Sequence, residues 1–276
     1  MNLSSKSDNK YEIIDMHTHI FPEKIAAKAV HSIGSYYGIT MYGPGTVDGL
    51  IESGRKIGVS KYVIHSSATT VDQVKRINDY VSSVKSEHDE FIGFGTLHSG
   101  LDDIDEEVDR IIALGLKGIK LHPEFQSFVI DAEEMLPVYK AIEGRLPLLI
   151  HMGDENKDSS SPYRLSRVLD MFPRLIVIAA HLGGYRMWKE SCECLIGRKI
   201  YMDTSSSLYF MNPEKAVEMI RAHGIEKVFF GTDYPMWDHE EELERFLKLD
   251  LTEAERRAIL AGNAKSFLQA YSPAAI

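Results

Sequence analysis

The feature that most constrains the fold of this chain is an alternation, repeated eight times, of a short apolar run with a longer amphipathic one. The short runs are Glu12 to His19, Lys61 to Ala68, Phe91 to His98, Gly118 to His122, Pro147 to Gly153, Leu175 to Leu182, Ile200 to Ser205 and Lys227 to Asp233. Their length and β-branched content predict strands. Leu148-Leu149-Ile150 and Ile176-Val177-Ile178-Ala179-Ala180 are apolar without alternation, as parallel strands covered on both faces must be. Between them, Thr46 to Ile57, Val71 to Glu87, Asp103 to Leu114, Glu133 to Glu143, Pro162 to Phe172, Tyr185 to Ile196 and Pro213 to His223 read as helices. Thr46 is placed as a cap, Gly58 and Gly115 as stops, and acids fill the first turn after Asp103. Glu240 to Leu249 and Thr252 to Gln269 supply the last helices. Eight βα units in 276 residues predict an α/β fold, a closed (β/α)8 TIM barrel, with an open doubly wound sheet as the competing arrangement.

Two stretches depart from the alternation. Ile20 to Gly45 holds a predicted helix, Glu23 to Ser32, and a loop ending Gly43-Pro44-Gly45. It is long for a βα connection and predicts a lid over the barrel mouth. Asp154 to Ser161 is polar and serine-rich, either a loop that orders around a ligand or a solvated one. Residues 1–10 read as a flexible N-terminal tail and 11–276 as one domain. No apolar run reaches the ~20 residues that cross a bilayer. The net charge of -10 argues against general nucleic-acid or anionic-membrane binding, which leaves a small molecule as the expected partner. Cys192 and Cys194, one residue apart in a predicted helix, form no disulfide framework and suit a reducing cytoplasm. A homodimer is the commonest assembly for such a chain.

The barrel expectation turns attention to the C-terminal ends of the strands, where such folds build their sites. Seven of the eleven histidines fall there: His17, His19, His65, His98, His122, His151 and His181. Within Asp15-Met16-His17-Thr18-His19, His17 and His19 point to one side of an extended strand and can present both imidazoles to one metal ion. Val228-Phe229-Phe230-Gly231-Thr232 ends in Asp233, a carboxylate able to bind that metal and act as base toward water. A single strand-end histidine or aspartate is more often a cap or a satisfied loop residue. Five converging from different strands outweigh that reading.

The chain resembles the amidohydrolase superfamily, in the branch holding metal-dependent hydrolases and the decarboxylases related to aminocarboxymuconate semialdehyde decarboxylase. The resemblance rests on DMHTH at 15–19, GIKLHPEFQ at 118–126, LLIHMGD at 148–154, SPYRLSRVLDMFPRLIVIAAHLGG at 161–184, MDTSS at 202–206 and FFGTDYP at 229–235. It implies that His17, His19, His151 and Asp233 hold one divalent metal, usually Zn²⁺, and that His181 contacts substrate and water or binds a second ion. Lys120 stands in KLHP, similar to the KLYP of dihydroorotases, where a carboxylated lysine bridges two metals. Its other reading is an ammonium for an anionic group or a structural ion pair. His122 shares its side of the strand. His65 and His98 read as hydrogen-bonded core histidines. Arg164 and Arg186 follow strands five and six as possible carboxylate clamps or plain surface arginines, and Trp237 as a pocket wall or packing residue.

The resemblance implies a metal-dependent hydrolase acting on a small amide, lactam, ester or lactone. Asp233 would be its base, with His181 and Lys120 stabilising the oxyanion. The alternative on the same centre is decarboxylation of an unsaturated or aromatic acid. A noncatalytic barrel that keeps its metal would lack a ligand histidine or Asp233, and neither is missing.

Overall fold

The computed structural model describes residues 10–271 as a parallel (β/α)8 barrel. Its strands are β1 Ile13–His19, β2 Val59–His65, β3 Phe91–Gly93, β4 Ile119–Leu121, β5 Leu148–Ile150, β6 Val177–Ala179, β7 Tyr201–Asp203 and β8 Val228–Phe229. They pair in chain order as β1 to β3 and β4 to β8. Gly95 bridges to Ile119 and Thr18 to Tyr234, which joins the two sheets into a ring. The helices are α1 Glu23–Tyr37, α2 Val47–Arg55, α3 Val74–Glu87, α4 Ile104–Ala113, α5 Pro123–Gln126, α6 Leu136–Ile142, α7 Pro162–Met171, α8 Trp188–Cys194, α9 Pro213–His223, α10 His239–Leu247, α11 Glu253–Arg257 and α12 Asn263–Ala270. None is long and apolar enough to cross a membrane.

The local rules behave as expected. Thr46 Oγ1 accepts the amide of Gly49 at 3.2 Å, and Gly58 and Gly115 take φ of 75° and 72° beyond their helices. Of the expected tail, residues 1–9 lie outside the described residues, and the Lys10 ammonium pairs with Glu253 at 3.2 Å. Cys192 and Cys194 are free thiols. Several predicted strands overshoot. His181, Leu182 and Asp233 have φ of 62°, 50° and 61°, so the chain leaves the ladder before the expected ends of β6 and β8. The expected final helix divides into α11, a π-helical turn at Ala258–Gly262 and α12.

Apolar packing forms two layers. Ile14, Met16, Val63, Phe94, Leu149, Ile178 and Phe229 meet Ala261, Ala264 and Phe267 in a buried cluster, which fills the barrel beneath its mouth and seals it with the C-terminal helix. A larger cluster, including Ile13, Ile64, Leu121, Ile150 and Val177, packs the strands against the outer helices. Register places Lys120 beside Leu149, and Leu149 beside Ile178, so the lysine enters from an apolar row. In β1 the ladder shifts between Asp15 and Thr18. This irregularity lets Ile14 and Met16 join the apolar interior while His17 and His19 face the mouth.

Asp15 ties β1 to the turn after β8. Its Oδ1 accepts the amides of His17 and Thr232 at 3.0 and 3.1 Å, and its Oδ2 accepts the Thr232 hydroxyl at 2.5 Å. His239 Nε2 at the start of α10 lies 3.2 Å from the same Oδ2. Asp15→Ala removes these acceptors and strands buried donors, and is expected to cost about 3 kcal/mol in urea unfolding. An unchanged midpoint would show that the strut is dispensable.

Glu242, also on α10, is buried, and desolvation raises its carboxyl to about 8 despite Arg245 beside it. A folded-state pKa above the unfolded value stabilises the fold at low pH, and this contribution is lost as pH rises from about 4.5 through about 8. Glu242→Gln should therefore flatten that part of the stability profile, read by thermal melts between pH 5 and about 8.5.

Candidate metal centre and its cavity

Four strand ends supply the centre, and second residues orient its rings. The His17 Nδ1–H donates to Asp203 Oδ2 at 2.9 Å, because a carboxylate can only accept. That leaves the Nε2 lone pair facing inward, 3.3 Å from Asp233 Oδ1 and 3.1 Å from Lys120 Nζ. His19 Nε2 reaches the same Asp233 oxygen at 3.1 Å. His181 donates from Nδ1 to the Ser205 carbonyl at 3.0 Å, and His151 from Nε2 to the Gly153 carbonyl at 3.0 Å. Their remaining nitrogens, His181 Nε2 and His151 Nδ1, then stand 2.9 Å apart with lone pairs opposed. Such a contact is relieved by a proton on one of the two nitrogens, with Ser205 Oγ 2.9 Å from His181 Nδ1 to complete that tautomer, or by a cation. With two further imidazoles and a carboxylate converging, the donor set fits a divalent transition metal. Donor atoms of His17, His181 and Asp233 all lie within 4.8 Å of one another.

Protonation agrees with that use. Burial, helped by the Lys120 charge, pushes His17 down to about 4, so its imidazole is neutral near pH 7. Burial also lowers Lys120, to about 8, against the pull of Asp233 and Asp203. Burial alone would raise Asp233, but contact with His17 and His19 outweighs it and holds the carboxyl well below its usual range. Ser206 Oγ donates to Asp233 Oδ2 at 2.6 Å and itself accepts from Trp237 Nε1 at 2.8 Å.

Asp203, Ser205 and Ser206 are the residues that sequence reasoning missed, although MDTSS marked their segment. Asp203 also accepts the His181 amide at 3.1 Å, so one carboxylate positions rings from β1 and β6. Burial raises its pKa, His17 more than offsets this, and the group settles at about 2.

Other predicted residues sort clearly. Lys120 is fully buried behind His17 and, among the described residues, lines neither cavity described below. His65 corrects the expectation of a hydrogen-bonded core histidine. Its ring lies 5.0 Å from that of His17 and 4.4 Å from that of His19, with neither nitrogen partnered. His98 accepts the Gly100 amide at 3.1 Å, a local loop contact. Arg164 is committed to Asp131 and Asp158, both at 2.6 Å. Arg186 and Trp237 line an outer vestibule.

The expected lid exists as α1, which runs to Tyr37 and stops at Gly38 with φ 65°. The Tyr36 hydroxyl donates to Asp154 at 2.7 Å. Tyr37 places its hydroxyl 3.1 Å from His122 Nε2 and 3.3 Å from His151 Nε2. His122 stacks on His151 with centroids 4.0 Å apart and turns Nδ1 toward Glu124, 3.4 Å away. Parallel stacked rings direct their lone pairs into separate planes, so His122 and His151 do not share an ion with Glu124. Under the lid lies a tight inner cavity of about 30 Å³, with His19, His151, His181 and Asp233 on one side and Tyr37, Phe125 and Tyr185 on the other.

A family model described as Amidohydrolase matches residues 14–269. Among solved structures, an uncharacterized TIM-barrel protein from Bordetella bronchiseptica is similar at 19% identity and TM-score 0.76, covering 95% of this chain and 99% of that one. A 5-carboxyvanillate decarboxylase from Novosphingobium aromaticivorans, complexed with manganese and a nitrobenzoic acid, has 16% identity and TM-score 0.74, covering 95% and 97%. A probable 2-pyrone-4,6-dicarboxylic acid hydrolase from Acinetobacter baumannii, with citric acid bound, has 15% identity and TM-score 0.68, covering 94% and 99%. At these identities the likeness establishes the shared barrel.

Because Asp203 sets the His17 tautomer, Asp203→Asn should weaken divalent-metal binding by about 10- to 100-fold while the fold persists. Competition with a chromophoric chelator measures this, with circular dichroism as the control. Unaltered affinity would remove Asp203 from the centre's support.

Proposed function

As a member of the amidohydrolase family, this chain is, we propose, a metal-dependent hydrolase that opens a small amide, lactam, ester or lactone with water. The observation that carries the reading is Asp233, an ionised carboxylate on the cavity wall with one oxygen on the imidazoles of His17 and His19 and the other on Ser206. His17, His19, His151 and Asp233 would hold the ion, which we assign as a single Zn²⁺ from the nitrogen-rich donor set. Such an ion supplies a lowered water pKa and polarises a carbonyl when bound.

The chain's own groups do the rest. Asp233 takes the proton of the attacking water and returns it to the leaving atom. His181, whose Nδ1 proton is committed to Ser205, presents Nε2 as an acceptor that orients water or substrate in the cavity. Lys120, buried with its amine 3.1 Å from His17 Nε2 and outside both cavities, acts on negative charge at the substrate oxygen only through the field of its charge beneath the centre. Tyr37 and the α1 lid limit water in the cavity.

One observation favours the decarboxylase reading as the alternative. Phe125, Tyr185, Ile33, Met41 and Met236 make much of the cavity wall apolar, and a carboxylate loses carbon dioxide more readily when stripped of water. The decarboxylase named among the similar structures agrees with it.

Incubation of zinc- or manganese-loaded protein with aryl lactones, anilides and hydroxybenzoates in ¹⁸O-enriched water separates the two. Hydrolysis places ¹⁸O in a carboxylate product, whereas decarboxylation releases carbon dioxide and takes a solvent proton onto carbon. We expect ¹⁸O incorporation, and a loss in kcat of about a thousandfold for Asp233→Asn. Carbon dioxide release without ¹⁸O uptake would replace the hydrolase reading with its alternative.

A further inference from the structure

Outside the inner cavity lies a second, larger space of about 570 Å³, and Tyr37 and Tyr185 line both. These two rings pack edge to face with centroids 5.5 Å apart, so they close this route in the present conformation and one of them must turn aside for a molecule to reach the centre. The outer space has aromatic walls. Tyr209 stacks on Trp237 at 4.5 Å, Phe210 stands edge-on to Trp237 at 5.9 Å, and Tyr36 closes the lid side. Such walls suit a flat, unsaturated body.

The polar groups at this rim are unequal. Asp154 is engaged by the Tyr36 hydroxyl at 2.7 Å and the Asn156 amide at 2.8 Å, and Arg245 is engaged by Glu241 at 2.6 Å and by Glu242. The Lys157 ammonium sits over the Tyr36 ring at 5.0 Å. Arg186 differs. Its guanidinium lies over Phe210 at 4.8 Å, its Nε holds the Glu155 carboxylate at 2.7 Å, and its side chain also hydrogen-bonds Tyr185. Both partners are open to solvent, with side chains 39% and 51% exposed, so the pair is weakly held and exchangeable. Glu155 belongs to the polar loop after β5, and Arg186 follows the turn after β6 with φ 59°. That backbone conformation is costly for a side-chain-bearing residue and aims the arginine along the rim.

We propose that Arg186 is the recognition residue for a carboxylate at the outer end of a planar substrate, and that Glu155 is an internal stand-in displaced by it. The structure already seats a carboxylate on Arg186 at the vestibule wall. When Glu155 swings into solvent, Arg186 and Lys157 outnumber Asp154, whose two oxygens already accept from Tyr36 and Asn156, so the rim favours an anion. A guanidinium fork backed by an aromatic face is the group best suited to a carboxylate. The inference rests on the cavity reading above for where the reacting end goes. It adds that the substrate carries a second, anionic end separated from the first by a flat unsaturated spacer.

Calorimetric titration of the full chain with benzoate, isophthalate and terephthalate tests this without turnover. Wild-type protein should bind at least one dicarboxylate more tightly than benzoate. Arg186→Gln should weaken that dicarboxylate about tenfold while leaving benzoate within about twofold, as loss of one charge-assisted contact requires. Glu155→Gln should tighten it, by about two- to fivefold, and the double variant should lose that gain. Equal weakening of both ligand types in Arg186→Gln, no effect of Glu155→Gln, or no dicarboxylate preference in wild type would each overturn the proposal. Turnover does not enter this readout, so Arg186-dependent binding supports the anchor even if the isotope experiment rejects the proposed reaction.

Discussion

The structure depends on a carboxylate that faces neither cavity. Asp15 spreads its two oxygens over the His17 amide, the Thr232 amide and the Thr232 hydroxyl, with His239 alongside. An amide side chain could not accept in all these directions, since half of its polar end is a donor. A buried charge is costly, and here it is offset only because every partner is a donor. The consequence is geometric. The strand that carries two imidazoles and the turn that carries Asp233 share these two oxygens as well as backbone hydrogen bonds, among them the Asp233 amide to the His17 carbonyl at 2.9 Å, so neither moves alone. The seam between β1 and β8 that closes the barrel is thus also the one across which His17, His19 and Asp233 meet.

Above this strut, support is layered. Asp203 fixes the His17 tautomer and the approach of the His181 backbone, and Ser205 gives His181 a carbonyl for its second nitrogen. Each inward lone pair is left available because its ring's other nitrogen is occupied. The left-handed conformations of His181 and Asp233 serve the same end, turning the chain out of the ladder so that both side chains look across the mouth.

Much of this was legible in the sequence, for a topological reason. In a parallel barrel every strand ends at the same face, so strand-end histidines and an aspartate must gather there whatever the helices do. Distinguishing a strut from a ligand was harder. Asp15, Asp203 and Asp233 all close apolar runs, and nothing in composition marks the first two as carboxylates that bind protein donors. The β1 irregularity was also hidden, because side-chain parity assumes an unbroken ladder. The lid was foreseen but ended too early. The helix predicted over Glu23 to Ser32 runs on through Gly34, where a Cβ would come 2.7 Å from the Ile39 carbonyl oxygen, and stops at Gly38. That error hid Tyr36 and Tyr37, two of the side chains that join the lid to the mouth.

Tyr37 has a consequence for recognition. In this conformation the protein presents a phenol of its own to the imidazoles of His122 and His151, in the space a ligand must enter. A phenolic ligand that took its place would exchange one hydroxyl for another, gaining little from polar contact. Affinity would then come from the surface the ring covers and from groups placed elsewhere on it. The lid sets a reference bond against which each visitor is compared, so the cavity selects for shape first and hydrogen bonding second.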